Sequence, residues 1–256
     1  MARSMEDVSL LFNLLSGQDV ADPLSAPVTV RPPTDLRAVP IGYLEEDGLL
    51  PATPETWQAV RDAVSALRGQ GFRVTPVRPS WLEEARRLWS TFFVRCGAMF
   101  YEPVIRGKHE MLSPMFREFL SFSQESGPLG GEELLQAWAS LDLLRSRILS
   151  EMAEVPILLT PVCAVPAFLH GERCWPVDGM GGREVGYLDA MRFMQWFNLL
   201  GAPAAVVPVG RAACAGTLAG LPIGVQIAGR PFEDEAVLAV AAALDRTFGY
   251  LPPPLH

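Results

Sequence analysis

Apolar residues recur along this chain at helical spacing, then at strand spacing, in alternating blocks. Met5, Val8, Leu11, Phe12 and Leu15 fall on one side of a predicted helix. Ser4 and Asp7 read as a capping box at its start, and Gly17 as its stop. Because Met1 stands almost against this helix, the pattern predicts that structure precedes it. Residues 18–37 are rich in Pro and Asp and read as a connection. Residues 39–43 then form a short strand. Thr53 caps the next helix, Pro54 suits its first position, and Trp57, Val60, Val64 and Leu67 supply its buried side. Residues 72–77 read as another strand. Strand, helix, strand implies a parallel pair with a right-handed crossover.

Residues 80–155 read as a helix-rich insertion. Ser80 with Glu83 suggests a second capping box, opening a helix that runs to about residue 100. Pro114 opens another helix, and the polar, glycine-bearing stretch 121–131 predicts a turn. Residues 132–154 form a long periodic stretch with Leu134, Leu135, Trp138, Leu141, Leu144 and Ile148. Strand character returns at 157–160. A long proline- and glycine-bearing loop follows at 161–186, a length that is usually functional or linking. The pattern then predicts a helix at 187–199, strands at 204–208 and 223–228, and a final helix at 233–248. Glu233, Asp234 and Glu235 complement the exposed N–H groups of that last helix. The broad pattern is α/β with one helix-rich insertion. No internal repeat is evident.

Composition narrows the function classes. The chain has 256 residues, enough for a sizeable core, and 22 glycines and 23 prolines punctuate its apolar runs. The formal charge of -8, without any cluster of Lys and Arg, argues against nucleic acid or an anionic membrane as a direct partner. No apolar run approaches the roughly 18 residues a transmembrane helix needs. The four cysteines, Cys96, Cys163, Cys174 and Cys214, form no CxxC pair and fit a reducing compartment. No basic head with an apolar stretch opens the chain, so a cytoplasmic protein is expected.

Candidate chemistry is sparse. The serine elbow GxSxG, the HExxH zinc motif, the P-loop and the dinucleotide glycine motif are all missing from the sequence. The three histidines are His109, His170 and His256. His170 shares the long loop with Cys163, Cys174 and Asp178, which admits a Cys–His pair or a metal site, although the spacing matches no strong motif. Glu45, Glu46 and Asp47 read as a solvated turn. The start of the long loop leaves the C-terminal end of a strand, where open α/β sheets bind ligands. There Thr160, Pro161, Cys163 and Phe168 make an apolar wall or a rigid connection packed on the core. Met191, Met194, Trp196 and Phe197 line a pocket or fill the core, and Asn198 is placed to bond the turn after them. Arg230 either pairs with a carboxylate or stands in solvent.

Two segments carry a stronger signal. Residues 186–210 read GYLDAMRFMQWFNLLGAPAAVVPVG, and residues 220–235 read GLPIGVQIAGRPFEDE. With MARSMEDV at the start and ILLTPVCAVPAF at 157–168, they closely resemble the C-terminal half of the amidase signature family. The proline-rich loop and the helix at 191–197 are similar to the fatty-acid or aryl amide amidases within it. The resemblance implies a large α/β/α enzyme, and here a partial amidase-signature fold with a mixed β-sheet flanked by helices, in which residues 1–256 are the C-terminal part of a single domain. Its chemistry uses a nucleophilic serine, a bridging serine with a cis peptide bond, and a lysine. An acyl-enzyme forms, ammonia or an amine leaves, and water releases the acid. No metal or organic cofactor is implied.

This chain departs from that pattern. The resemblance places the serines and the lysine ahead of Met1. Ser4 follows the signature region, and Lys108, the only lysine, matches no catalytic motif. No catalytic residue is therefore carried over. The match supports only pocket-wall residues: Thr160, Pro161, Cys163, Phe168, Phe197 and Asn198. The expected protein is a fragment inactive alone, completed by an N-terminal amidase half or by a second copy of itself. It takes a small-molecule amide once complemented. The other readings are a non-catalytic, partner-binding or structural relative, and a fragment like the amidotransferase subunit that delivers ammonia to a charged tRNA. A missing half also predicts an uncovered sheet edge and face.

Overall fold

The computed structural model describes residues 1–27, 35–44, 51–125, 127, 129–177, 182–213 and 219–252. Helix α1 (Met5–Leu15) begins as its sequence predicts: the Ser4 hydroxyl accepts the Asp7 N–H at 3.2 Å. Strand β1 (Ile41–Leu44), helix α2 (Pro54–Gly69) and strand β2 (Val74–Val77) follow, with β1 and β2 parallel. Pro54 opens α2, and Trp57, Val60, Val64 and Leu67 are all buried. Thr53 occupies the capping position without a side-chain cap bond; its Oγ1 lies 2.8 Å from Thr56 Oγ1 instead.

Between β2 and β3 the described elements are helical. α3 (Leu82–Trp89) runs through a π-helical stretch at Ser90–Arg95 into α4 (Cys96–Ile105). α5 (Pro114–Glu125) reaches into the stretch read as a turn, and α6 (Gly131–Glu151) buries Leu141, Leu144 and Ile148. Leu135 and Trp138 of the same periodic set stay exposed. The capping box expected at Ser80 and Glu83 does not form. Trp81 stands at the capping position, and the Ser80 hydroxyl bonds the Glu151 carboxylate at the end of α6.

Strand β3 (Ile157–Pro161) is buried along its whole length. The segment read as a loop at 161–186 contains a two-stranded antiparallel ribbon, β4 (Cys174–Pro176) and β5 (Glu184–Gly186). Trp175 and Val185 pair across it and are both buried, so side-chain packing builds strands too short to read from alternation. The helix expected at 187–199 is broken into α7 (Tyr187–Ala190), a 3₁₀ turn at Arg192–Met194 and α8 (Gln195–Leu200). Gly201, at φ +70°, ends α8 in the left-handed region that a side chain disfavours. Strands β6 (Ala204–Arg211) and β7 (Pro222–Ala228) and helix α9 (Asp234–Phe248) complete the chain.

The main sheet has the order β2-β1-β3-β7-β6, parallel across its first three strands and antiparallel across its last two pairings. Alternation along β3 sends Ile157 and Leu159 to one core and Leu158 to the other. The first core holds α2, α9, Val225 and Ile227. The second holds α3, α6, α8 and Ala228. Gly42 has no room for a side chain: a Cβ there would lie 2.8 Å from Val155 Cγ1 and 2.9 Å from Leu158 Cδ2. This is a mixed sheet flanked by helices, as expected. Among the described residues, no helix is long and apolar enough to cross a membrane.

Candidate functional site

Thr160 and Pro161 end β3 in the middle of the sheet, and both are buried. The Thr160 hydroxyl donates to Pro161 O at 3.0 Å and accepts from Gln226 Nε2 at 3.1 Å. Gln226 Nε2 also lies 3.4 Å from Phe193 O, so β3, β7 and the segment before α8 meet at one buried polar knot. Sequence reasoning missed Gln226. Its signal was present as the lone amide in the apolar run 223–228. Gln195 was missed too. Its Nε2 donates to Leu188 O at 3.1 Å, and its buried Oε1 has no hydrogen-bond partner among the described residues.

The remaining proposed wall residues divide between the two faces. Cys163 and Phe168 are half-buried against the first core, and Phe168 stacks at a tilt on Trp175, ring centroids 4.5 Å apart. Phe197 packs against the second core, edge-on to Trp196 at 5.6 Å, and Asn198 is exposed. The fold brings Thr160, Pro161 and Cys163 together at the exit of β3, with Phe197 and Asn198 on α8. Of the other apolar candidates, Trp196 is core, and so is Phe193 beside it. Met191 and Met194 are half-buried.

The thiol chemistry is unfavourable for nucleophilic attack. Burial pushes the Cys163 thiol up, outweighing the backbone hydrogen bonds at Val165 and Ala164 that pull it down. Cys174 Sγ donates to Glu184 Oε2 at 3.4 Å, and that contact holds its thiol up as well. His170 is exposed in a turn. Among the described residues, no group of three or more His, Cys, Asp or Glu side chains is placed to hold a metal. Asp178, Cys214, His256, Glu45, Glu46 and Asp47 lie outside the described residues. Arg230 pairs with Glu233 one helical turn on. Ser4 is engaged at the start of α1, while the exposed Lys108 precedes a 3₁₀ turn at His109–Met111. No hydrogen bond among the described residues links them.

Among the described residues, cavities lie away from the β3 exit. One, of about 350 Å³, sits among the helices and includes Arg95, Met99, Glu102 and His109. Another is a groove of about 640 Å³ along the outer side of β6. Its walls include Met5, Val8 and Phe12 of α1 and Val237 and Leu238 of α9, and β6 itself runs along it. The Met5 N–H donates to Asp245 Oδ2 at 2.9 Å and ties α1 to α9 above that groove.

A sequence profile of the family described as Amidase matches residues 1–238. Over 258 residues the chain is 28% identical to an indoleacetamide hydrolase of Bradyrhizobium japonicum, covering 98% of this chain and 52% of that protein. It is also 28% identical over 268 residues to a glutamyl-tRNA(Gln) amidotransferase subunit of Deinococcus radiodurans, covering 95% and 54%. Its fold matches a solved vestigial protein complex linked to the origins of an s-triazine catabolic enzyme. The TM-score there is 0.80 at 20% identity, over 98% of this chain and 53% of the other. The chain thus spans about half the length of the curated relatives it matches. With the profile running through α1, both cores and most of the sequence up to α9, this chain belongs to the amidase family.

Proposed function

We propose that the chain is the C-terminal part of an amidase that hydrolyses carboxylic acid amides to an acid and ammonia or an amine, and that it is inactive alone. One observation carries this reading: the family match runs from residue 1 to residue 238, while the chain spans about half of each relative. Acyl transfer needs a nucleophile, a proton acceptor and donors for the oxyanion held together. Ser4 and Lys108 do not supply that group, so those parts come from the remainder of the domain. The described half contributes a scaffold. The exit of β3, with Thr160, Pro161 and Cys163, forms one stretch of the substrate wall, held by the Thr160–Gln226 bond. Phe168, Phe197 and Asn198 extend that wall once the domain is complete. Residues 80–155 act as a helical insertion within the one domain.

The equal identity to a tRNA-dependent amidotransferase favours a second reading, in which the completed domain releases ammonia for transfer. Assays separate these readings. The purified chain is expected to leave simple aryl and aliphatic amides intact. Addition of the missing domain half restores hydrolysis of those amides under the first reading, and of glutamine under the second. Robust amide turnover by the 256-residue chain alone defeats the inactive-fragment reading.

A further inference from the structure

We infer that the outer edge of β6 is the seam at which the rest of the amidase domain adds its next strand. This rests on the reading that the chain is part of a larger domain. It adds where the two parts join and which atoms join them.

Backbone direction identifies the edge. The Gly229 N–H donates to Pro203 O at 3.0 Å, which fixes the parity of the β6–β7 ladder. Backbone groups alternate along an antiparallel strand, so Ala205 and Val207 bond toward β7 while Ala204, Val206 and Pro208 face outward. β7 is the only strand paired with β6 among the described residues. The outward N–H groups of Ala204 and Val206, and the outward carbonyls of Ala204, Val206 and Pro208, make no hydrogen bond among those residues. Pro208 has no N–H to offer, so at that position an added strand would bond the outward carbonyl alone.

The side chains along this edge also await cover. Val206 is 49% exposed on an eight-residue strand. The apolar groove between α1 and α9 follows the same edge, at a volume of about 640 Å³. An added strand would bond the outward groups of β6 and place alternate apolar side chains in that groove. The occupant is the portion of the domain that relatives carry and this chain does not span, about half of their length. The sheet offers one other edge, β2. There the outward Val74 carbonyl is held by Arg68, and the outward Pro76 has no N–H.

Co-expression with the part of the Bradyrhizobium japonicum indoleacetamide hydrolase outside the matched span tests this, with affinity and stoichiometry read by analytical ultracentrifugation. A one-to-one complex is expected. Val206→Pro and Ala204→Pro each remove one outward N–H without touching the β6–β7 ladder, and each should weaken the complex about tenfold or more. Val206→Thr keeps the N–H and the branched shape and should bind as the parent does. Circular dichroism checks that each proline variant remains folded; if one unfolds, the other serves. A complex as tight with both proline variants overturns the seam while leaving the larger-domain reading intact. No complex with the parent chain overturns the seam as well. Amide turnover by the chain alone overturns the larger-domain reading.

Discussion

The two edges of the sheet are finished differently. β2 is four residues long, and its outward Val74 carbonyl receives Arg68 Nη2 at 2.7 Å and Nε at 3.1 Å. Its next outward residue, Pro76, has nothing to donate. β6 is twice as long; it too has an outward proline, Pro208, but it keeps outward N–H groups at Ala204 and Val206 and carries an exposed valine beside an apolar groove. A short edge whose outward carbonyl is capped by an arginine is how a sheet ends; a long edge with uncapped donors is how a sheet continues. The difference distinguishes an edge suited to solvent from one suited to the seam proposed above.

The contrast can be broken by substitution. The largest effect is expected within β6, at its inward groups. Val207→Pro removes an N–H directed at β7 and leaves a buried carbonyl without its donor, costing about 3 kcal/mol in chemical denaturation. Next comes the capped edge. Arg68→Ala frees the Val74 carbonyl and should cost about 1 kcal/mol in the same measurement. Combined with Pro76→Val, it creates a second open edge, which sedimentation should register as concentration-dependent self-association beyond that of the parent. Val206→Pro, one residue from the most damaging site, should change the stability of the chain alone by less than about 0.5 kcal/mol. Equal losses at 206 and 207 would show that the outward assignment is wrong.

The smallest effect lies between the edges, at Cys163. Its folded thiol is raised by burial, so folding favours the protonated form. That contribution is complete below the ordinary thiol range and is lost as pH rises through the higher folded value. Alkaline denaturation should therefore show a slight fall in stability that Cys163→Ala removes, and alkylation of Cys163 should require a higher pH than that of an ordinary thiol. Alkylation with an ordinary pH midpoint would contradict the burial of this side chain.

Elements whose stability is local were legible in the sequence. The Ser4 cap, Pro54 opening α2 and the buried row from Trp57 to Leu67 follow from spacing alone. Spacing misleads where a distant partner decides. Ser80 had a local acid at Glu83, but it bonds Glu151, 71 residues away. The β4–β5 ribbon has three-residue strands, one containing Pro176, and Trp175 packs there against Phe168. Thr160 could be read as a strand exit, but its partner Gln226 lies 66 residues on, and only the β3–β7 register brings the two together. An open edge was to be expected from the resemblance, but not its position; ladder parity, which no periodicity contains, points to β6.

Residue-resolved amide exchange of β6, alone and in the complex, tests the central claim most directly. In the isolated chain the Ala205 and Val207 amides should exchange slowly while those of Ala204 and Val206 exchange fast. Binding of the proposed complementing half should protect Ala204 and Val206 and leave the other two unchanged. Slow exchange at Val206 in the isolated chain, or fast exchange there in the complex, would contradict β6 as the seam.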